Sequence, residues 1–211
     1  TYRIGMIGVI DYGRGNLLSV TNALDSIGEE VTLVSNPDEL QQCDRIVLPG
    51  VGAFPAGMRS LVESALIEAL TDHVINQAKP FLGICLGMQL LATIGHEQND
   101  VPGLNWLDSE VSRLAPSEPN LKLPHVGWNE TIPQPDSPLF KNLGTAPVFY
   151  YVHSYAVGLN ENSNAAEAWC DYGGKFVAAI RKDNIAATQF HPEKSQDIGL
   201  RFLMNWVDWK P

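Results

Sequence analysis

Short apolar runs alternate with helically spaced apolar positions through the first half of the chain. Arg3–Ile10 is almost wholly apolar and predicts a buried strand, and Val31–Val34, Arg45–Leu48 and Pro80–Ile84 predict further strands. Between them Leu17, Val20, Ala23, Leu24 and Ile27 recur at helical spacing, predicting a helix over Asn16–Ile27 that Gly28 ends. Helical patterns also run through Leu66–Ile75 and from Leu86 to about Thr93. Strands alternating with helices point to βαβ units and a parallel sheet.

The second half has a different rhythm. Val111–Leu114, His125–Thr131, Val148–His153, Lys175–Ile180 and Ile185–Phe190 are strand-like, and most prolines fall in the turn-rich stretches between them. Near the C-terminus Ile198, Phe202, Leu203, Trp206 and Val207 return to helical spacing. No linker, repeat or low-complexity tract interrupts the 211 residues, so the expectation is one α/β domain over 1–211. It combines a mixed, mostly parallel central sheet flanked by helices with an extra β-rich part in the second half.

Composition narrows the function classes. The formal net charge is −10, split −7 over residues 1–100 and −3 over 101–211. An acidic chain lacks the clustered Lys and Arg that phosphate contacts need, which argues against nucleic acid and anionic membrane as partners. No apolar run approaches a membrane span, and Thr1–Ile10 lacks the pattern of a secretory signal. Three cysteines, Cys43, Cys85 and Cys170, cannot all pair and have no zinc-like spacing. A reducing compartment, the cytoplasm, is expected, with no metal and no cofactor.

One of those thiols sits in a distinctive setting. Gly83-Ile84-Cys85-Leu86-Gly87 follows a predicted strand and opens a predicted helix, the context of a G-x-nucleophile-x-G elbow. Flanking glycines permit the tight turn, the helix N-terminus favours thiolate, and the N–H of Leu86 is positioned to donate to an oxyanion. The competing interpretation is a buried structural cysteine in a glycine-bounded turn. His191-Pro192-Glu193 follows another strand and offers a base with a carboxylate two residues on, on the same side of an extended segment. It too could be merely a structural turn. Among the other histidines, His73 reads as a helix-surface residue, His96 as part of a polar loop, and His125 and His153 as flanking strands.

Two glycine-rich turns complete the inventory. Pro49-Gly50-Val51-Gly52-Ala53-Phe54 follows a strand and can turn N–H groups toward an anion, or be simply a tight strand-to-helix turn. Gly13-Arg14-Gly15-Asn16-Leu17-Leu18 follows the first strand. It lacks the third glycine of a dinucleotide loop, and its acidic residues, Glu29 and Glu30, come too early.

Taken together, Cys85, His191 and Glu193 in this order, with Gly83–Leu91 and Gln189–Ser195, resemble the two signatures of the class I, triad-type glutamine amidotransferases. Asp11–Leu17, Pro49–Phe54, Pro124–Asn129 and Tyr150–Tyr155 are similar to segments of the glutaminase subunits of imidazole glycerol phosphate synthases. The resemblance runs from Arg3 to about Trp206. It implies a three-layer, flavodoxin-like fold, in which Cys85 attacks the side-chain amide of glutamine, His191 relays the proton and Glu193 orients it. It implies oxyanion donors at Val51, Leu86 and the Gly52 turn, and glutamine held by Gln89, Glu97 and backbone groups of Gly52, Ser154 and Tyr155. Glu97 is the least secure, because Ala92–Glu97 departs from the acidic segment usual there.

The resemblance further implies a heterodimer with a (β/α)8-barrel synthase subunit that receives the ammonia, docking near Trp128, Tyr150 and the Gly13–Asn16 loop. Two other activities share the elbow. One is a paralogous glutaminase supplying a sugar-modifying amidotransferase in polysaccharide synthesis. The other is a stand-alone cysteine peptidase or γ-glutamyl hydrolase.

Overall fold

The apolar runs of the first half become parallel strands whose alternate side chains enter different cores. The structure, a computed structural model, describes residues 5–159 and 163–211; Arg3 and Ile4 of the first expected strand lie outside them. In order, the first half holds β1 (Ile7–Ile10), α1 (Leu17–Ser26), β2 (Val31–Val34), β3 (Arg45–Leu48), α2 (Phe54–Glu63), α3 (Ile67–Thr71), β4 (Phe81–Ile84) and α4 (Leu86–Gln89). The second half holds β5 (Ala92–Gly95), β6 (Val101–Pro102), β7 (Leu107–Arg113), β8 (His125–Pro133), β9 (Val148–His153), β10 (Tyr155–Leu159), β11 (Ala166–Asp171), β12 (Lys175–Lys182), β13 (Ile185–Thr188) and α5 (Gln196–Asp208).

The described residues form a nine-stranded sheet ordered β2-β1-β3-β4-β13-β12-β11-β8-β9. Pairing is parallel from β2 to β13 and antiparallel from β13 onward. A smaller sheet, β10-β7-β5-β6, accompanies it.

Period-2 alternation sorts the strand side chains into two layers. Ile10, Ile46, Leu48 and Phe81 face one core with Phe54, Met58 and Leu61 of α2, Leu70 of α3 and Leu86 of α4. Ile7, Val9, Val47, Leu82 and Ile84 face the other, with Val20 and Leu24 of α1 and Phe202, Leu203 and Trp206 of α5. Each fully buried Phe or Leu contributes roughly 1.5–3 kcal/mol by removal from water, so helices on both faces are what allow these strands to be apolar throughout.

Several expectations shift in register or kind. The helix expected from Leu86 to Thr93 is a single turn ending at Gln89, and Ala92 instead pairs with Leu107 in a parallel ladder. Leu86–Ala92 is buried on every side, so no polar face sustains a helix, and β-branched Thr93 and Ile94 suit the strand. Leu66–Ile75 divides into α3 and a π-helical turn, Asp72–Asn76. His73 is buried there rather than on a surface, with Nδ1 2.8 Å from the Ala69 carbonyl. Asn16 caps α1, its side chain accepting from the Ser19 N–H at 3.2 Å. α2, β5, β6, β10 and β11 have no counterpart in the sequence expectations.

Candidate active site

Register brings three distant loops to one edge. Leu48 of β3 pairs with Gly83 of β4, and Ile84 of β4 pairs with Thr188 of β13, so the three strands end side by side. Pro49–Gly52, Cys85 and Gln189–His191 therefore emerge together at the carboxyl ends of parallel strands, where open α/β sheets place their ligands.

Cys85 occupies φ 53°, ψ −107°, a conformation side chains rarely adopt. Its N–H donates to the Thr188 carbonyl at 2.7 Å, anchoring the elbow to β13. The glycines are steric necessities: a Cβ at Gly87 would lie 1.9 Å from the Leu48 carbonyl oxygen, and one at Gly83 2.8 Å from that of Gly87. With α4 only one turn long, no extended macrodipole acts on the thiol. Cys43 and Cys170 are also buried and unpaired. Burial raises the Cys43 thiol and pushes Cys170 up to about 12, which holds both protonated.

His191 and Glu193 meet through a 3-10 turn, Pro192–Lys194, rather than along an extended segment. The ring Nδ1 lies 2.7 Å from Glu193 Oε1, and both side chains are almost fully buried. The His191 N–H donates to the Tyr150 carbonyl at 3.0 Å, while its own carbonyl accepts from Ser195 Oγ at 2.6 Å. Ser195 Oγ in turn accepts from the Tyr150 N–H at 3.0 Å, a brace that sequence reasoning named only as part of the motif. Among the described residues, His191 Nε2 has no hydrogen-bond partner. Burial opposes the imidazolium, but negative charge at Cys85 and the Glu193 carboxylate outweigh it and push His191 up to about 10.

A cleft of about 410 Å³ opens onto these groups. Val51, Gly52, Cys85, Gln89, Glu97, Ser154, Tyr155 and His191, all sequence candidates, line it with Pro124, Val152, His153 and Lys194. Glu193 stands behind His191, and the Leu86 side chain is buried in the core, leaving only its backbone for the expected role. Glu97, despite its atypical segment, reaches the cleft and accepts the Phe54 N–H at the start of α2 at 2.8 Å. Gln89 Nε2 donates to the Tyr155 carbonyl at 2.9 Å and to Gln189 Oε1 at 3.1 Å, and Gln189 Nε2 approaches Cys85 Sγ at 3.6 Å. Gln189 was missed as a site residue; its signal is an amide just past the end of β13, in a run whose other polar residue is Thr188.

The competing histidines separate cleanly. His153 lines the cleft, but its Nδ1 faces the Tyr155 carbonyl at 2.9 Å and its Nε2 faces His125 Nδ1 at 3.0 Å. Burial lowers both His125 and His153 to about 4, so both stay neutral and His153 has no free ring nitrogen. His96 is exposed and held by Asp100 and Glu110. Of the expected partner-facing residues, Trp128 is half-exposed and directly opposite Tyr150, with ring centroids 5.9 Å apart. Asn16 is exposed on a separate loop; its helix α1 and the strand of Tyr150 both contact the Pro192–Lys194 turn. Among the described residues no group of three or more His, Cys, Asp or Glu side chains is placed to hold a metal ion.

Residues 8–207 match the family of class-I glutamine amidotransferases, and the chain belongs to that family. Among relatives, the chain is 46% identical over 202 residues to imidazole glycerol phosphate synthase subunit HisH 1 of Campylobacter jejuni, covering 96% of this chain and 99% of the relative. It is 45% identical over 209 residues to subunit HisH of Zymomonas mobilis, covering 97% and 96%. Solved structures share the fold at low identity: PurLQS from Thermotoga maritima superposes with a TM-score of 0.74 at 16% identity, covering 98% of this chain and 99% of that one. A glutamine amidotransferase from the same organism gives 0.67 at 16%, covering 98% and 82%.

Proposed function

We propose that this chain is the glutaminase subunit of an imidazole glycerol phosphate synthase, working as one amidotransferase domain over 1–211. The observation that carries the reading is the convergence of Cys85 and the His191–Glu193 pair on one cleft, in a chain nearly half identical to HisH subunits.

The geometry supports the following chemistry. Cys85 Sγ, having passed its proton to His191, attacks the side-chain amide carbon of glutamine. The oxyanion is met by the N–H groups of Leu86 and Val51, the latter in the glycine-flanked 49–52 turn. His191 then gives its proton to the departing nitrogen, releasing ammonia and leaving a glutamyl thioester. Water activated by the same imidazole hydrolyses the thioester to glutamate and restores the thiol. Glu193 holds the ring so that Nε2 faces the cleft. Gln89, Glu97 and backbone groups of Gly52, Ser154 and Tyr155 hold the substrate, with Glu97 suited to the α-amino group by its charge.

Ammonia passes to a (β/α)8-barrel cyclase subunit, held as a heterodimer over Trp128, Tyr150 and the Asn16 loop, in the cytoplasm. Cys85→Ser is expected to abolish glutamine-dependent synthesis by the complex, leaving synthesis from added ammonium salts intact. Full glutamine-dependent activity in that variant would refute the nucleophile assignment. Co-purification with a sugar-modifying amidotransferase in place of the cyclase would redirect the partner assignment, and peptidase activity of the isolated chain would favour a stand-alone hydrolase.

A further inference from the structure

Tyr12 is 5% exposed, two residues beyond the end of β1. Because β1 and β3 run parallel and in register (Val9 opposite Val47), the turn after β1 rises beside the Pro49–Gly52 turn after β3. The two turns are keyed together. The Tyr12 hydroxyl donates to the Pro49 carbonyl at 2.9 Å in a buried setting. A Cβ at Gly50 would lie 2.6 Å from that hydroxyl oxygen, so the phenol fills the space a side chain at 50 would need. A Cβ at Gly15 would lie 3.2 Å from the Pro49 ring. Arg14 Nε donates to Ser60 Oγ at 3.0 Å, tying the same turn to α2.

The Pro49–Gly50 peptide is planar, so holding its oxygen also sets the direction of the Gly50 N–H and the start of the next peptide, which carries the Val51 N–H. On the far side Gly52, at φ 106°, gives the loop a joint with wide conformational freedom. The turn is thus pinned at Pro49 and loose at Gly52, with the expected oxyanion donor between. Resting on the reading of Val51 as that donor, we propose that Tyr12 is a positioning residue for it, acting through the Pro49 carbonyl. A phenylalanine ring would fill the same core volume; the hydroxyl is the part with this task. Burial raises the phenol's pKa and negative charge at Cys85 raises it further, against the opposing charge of Arg14, so the group remains a donor throughout the working pH range.

The test compares the whole chain and its Tyr12→Phe variant, each in complex with the cyclase. Glutamine hydrolysis passes through a carbonyl oxyanion, whereas displacement by Cys85 on iodoacetamide does not, so alkylation reads the thiol and His191 without the loop. Tyr12→Phe is expected to lower kcat for glutamine about tenfold, a fraction of the loss on deleting an oxyanion donor outright, with KM and the alkylation rate within about twofold of wild type. An unchanged kcat, or a parallel collapse of kcat and alkylation, would overturn the assignment. If Tyr12→Phe does not fold, 4-aminophenylalanine and 4-fluorophenylalanine at position 12 replace it: the donor-bearing ring is expected to keep kcat and the fluoro ring to lose it. Equal kcat values in that pair would overturn the proposal. A wild-type complex without glutaminase activity would instead sink the underlying function, and this assignment with it.

Discussion

At the scale of single residues, the site stores strain where chemistry needs exposure. Cys85 is held in the left-handed region by the Thr188 carbonyl and by glycines that no larger residue can replace. Such a conformation costs a non-glycine residue on the order of 1–3 kcal/mol, part of which glycine would recover despite its larger unfolded-state entropy. Cys85→Gly is therefore expected to be inactive yet more stable than wild type, by about 1 kcal/mol in urea unfolding, whereas Cys85→Ala gains little. A destabilised Cys85→Gly chain would show that the elbow is unstrained. The elbow itself was legible in the sequence because glycine spacing is a local requirement. His191 was singled out by its own motif, but that His153, which also lines the cleft, has both ring nitrogens engaged depends on His125, 28 residues away, and shows only in the fold.

At the scale of elements, β8 and β9 are joined by more than their ladder. His125 opens β8 and His153 closes β9, opposite each other in register. Their tautomers are dictated from the two ends: the Tyr155 carbonyl requires a proton on His153 Nδ1, leaving Nε2 to accept from His125 Nδ1. His125 Nε2 then accepts from the Asn129 side-chain amide at 3.3 Å. Tyr151, Tyr172 and Phe176 pack around the His125 ring, and of these Tyr151 and Phe176 also contact His153. Protonating either imidazole places two N–H groups face to face.

Both histidines titrate near 4 in the folded chain against an ordinary 6.5, so the unfolded chain takes up protons first. Their contribution to stability is complete above about pH 7 and declines as pH falls from 6.5 toward 4. His191 acts with the opposite sign: its raised value favours the fold at lower pH and is lost as pH climbs through about 10. Urea unfolding between about pH 7.5 and pH 5 is expected to lose a few kcal/mol in wild type, and markedly less when His125 and His153 are both glutamine. Equal slopes in the two proteins would exclude the pair as the source. The same scale explains the missed elements. Phe54, Met58 and Leu61 follow a glycine-rich turn, so the helical spacing of α2 was hidden behind a loop signal. The α4 helix ends early because tertiary pairing of Ala92 overrides a helix-compatible local pattern.

At the scale of the whole molecule, the nine-stranded sheet ends at β9, and apart from Leu33 of β2 its exposed large apolar residues lie on the last two strands: Val126, Trp128 and Ile132 of β8 and Val148 of β9. A sheet face with accessible apolar side chains grouped beside its edge is a surface in want of cover. Trp128→Ala is expected to weaken cyclase binding about tenfold or more, as loss of a buried aromatic anchor does, read by isothermal titration. Undiminished affinity would move the interface elsewhere on the chain. The acidic balance takes on a more limited meaning in this light. It argues against polyanionic partners, but the cleft is lined by both Lys194 and Glu97, so net charge says little about the site.

Local sequence settled what depends on near neighbours. Apolar periodicity marked most strands and the long helices, glycine spacing marked the elbow, and the Cys85 and His191–Glu193 motifs together with their flanking segments marked the chemistry. Tertiary structure alone decided the strand order, the antiparallel half of the sheet and the arrival of Glu97, Gln189 and Tyr12 around the cleft. Only the three-dimensional packing made His153 a fully engaged neutral side chain and left His191 Nε2 free. The physical reason is the same throughout: strand register and buried hydrogen bonds join residues 37 to 104 positions apart, and no local pattern of hydrophobicity or conformational preference specifies which distant partner a chain segment will meet.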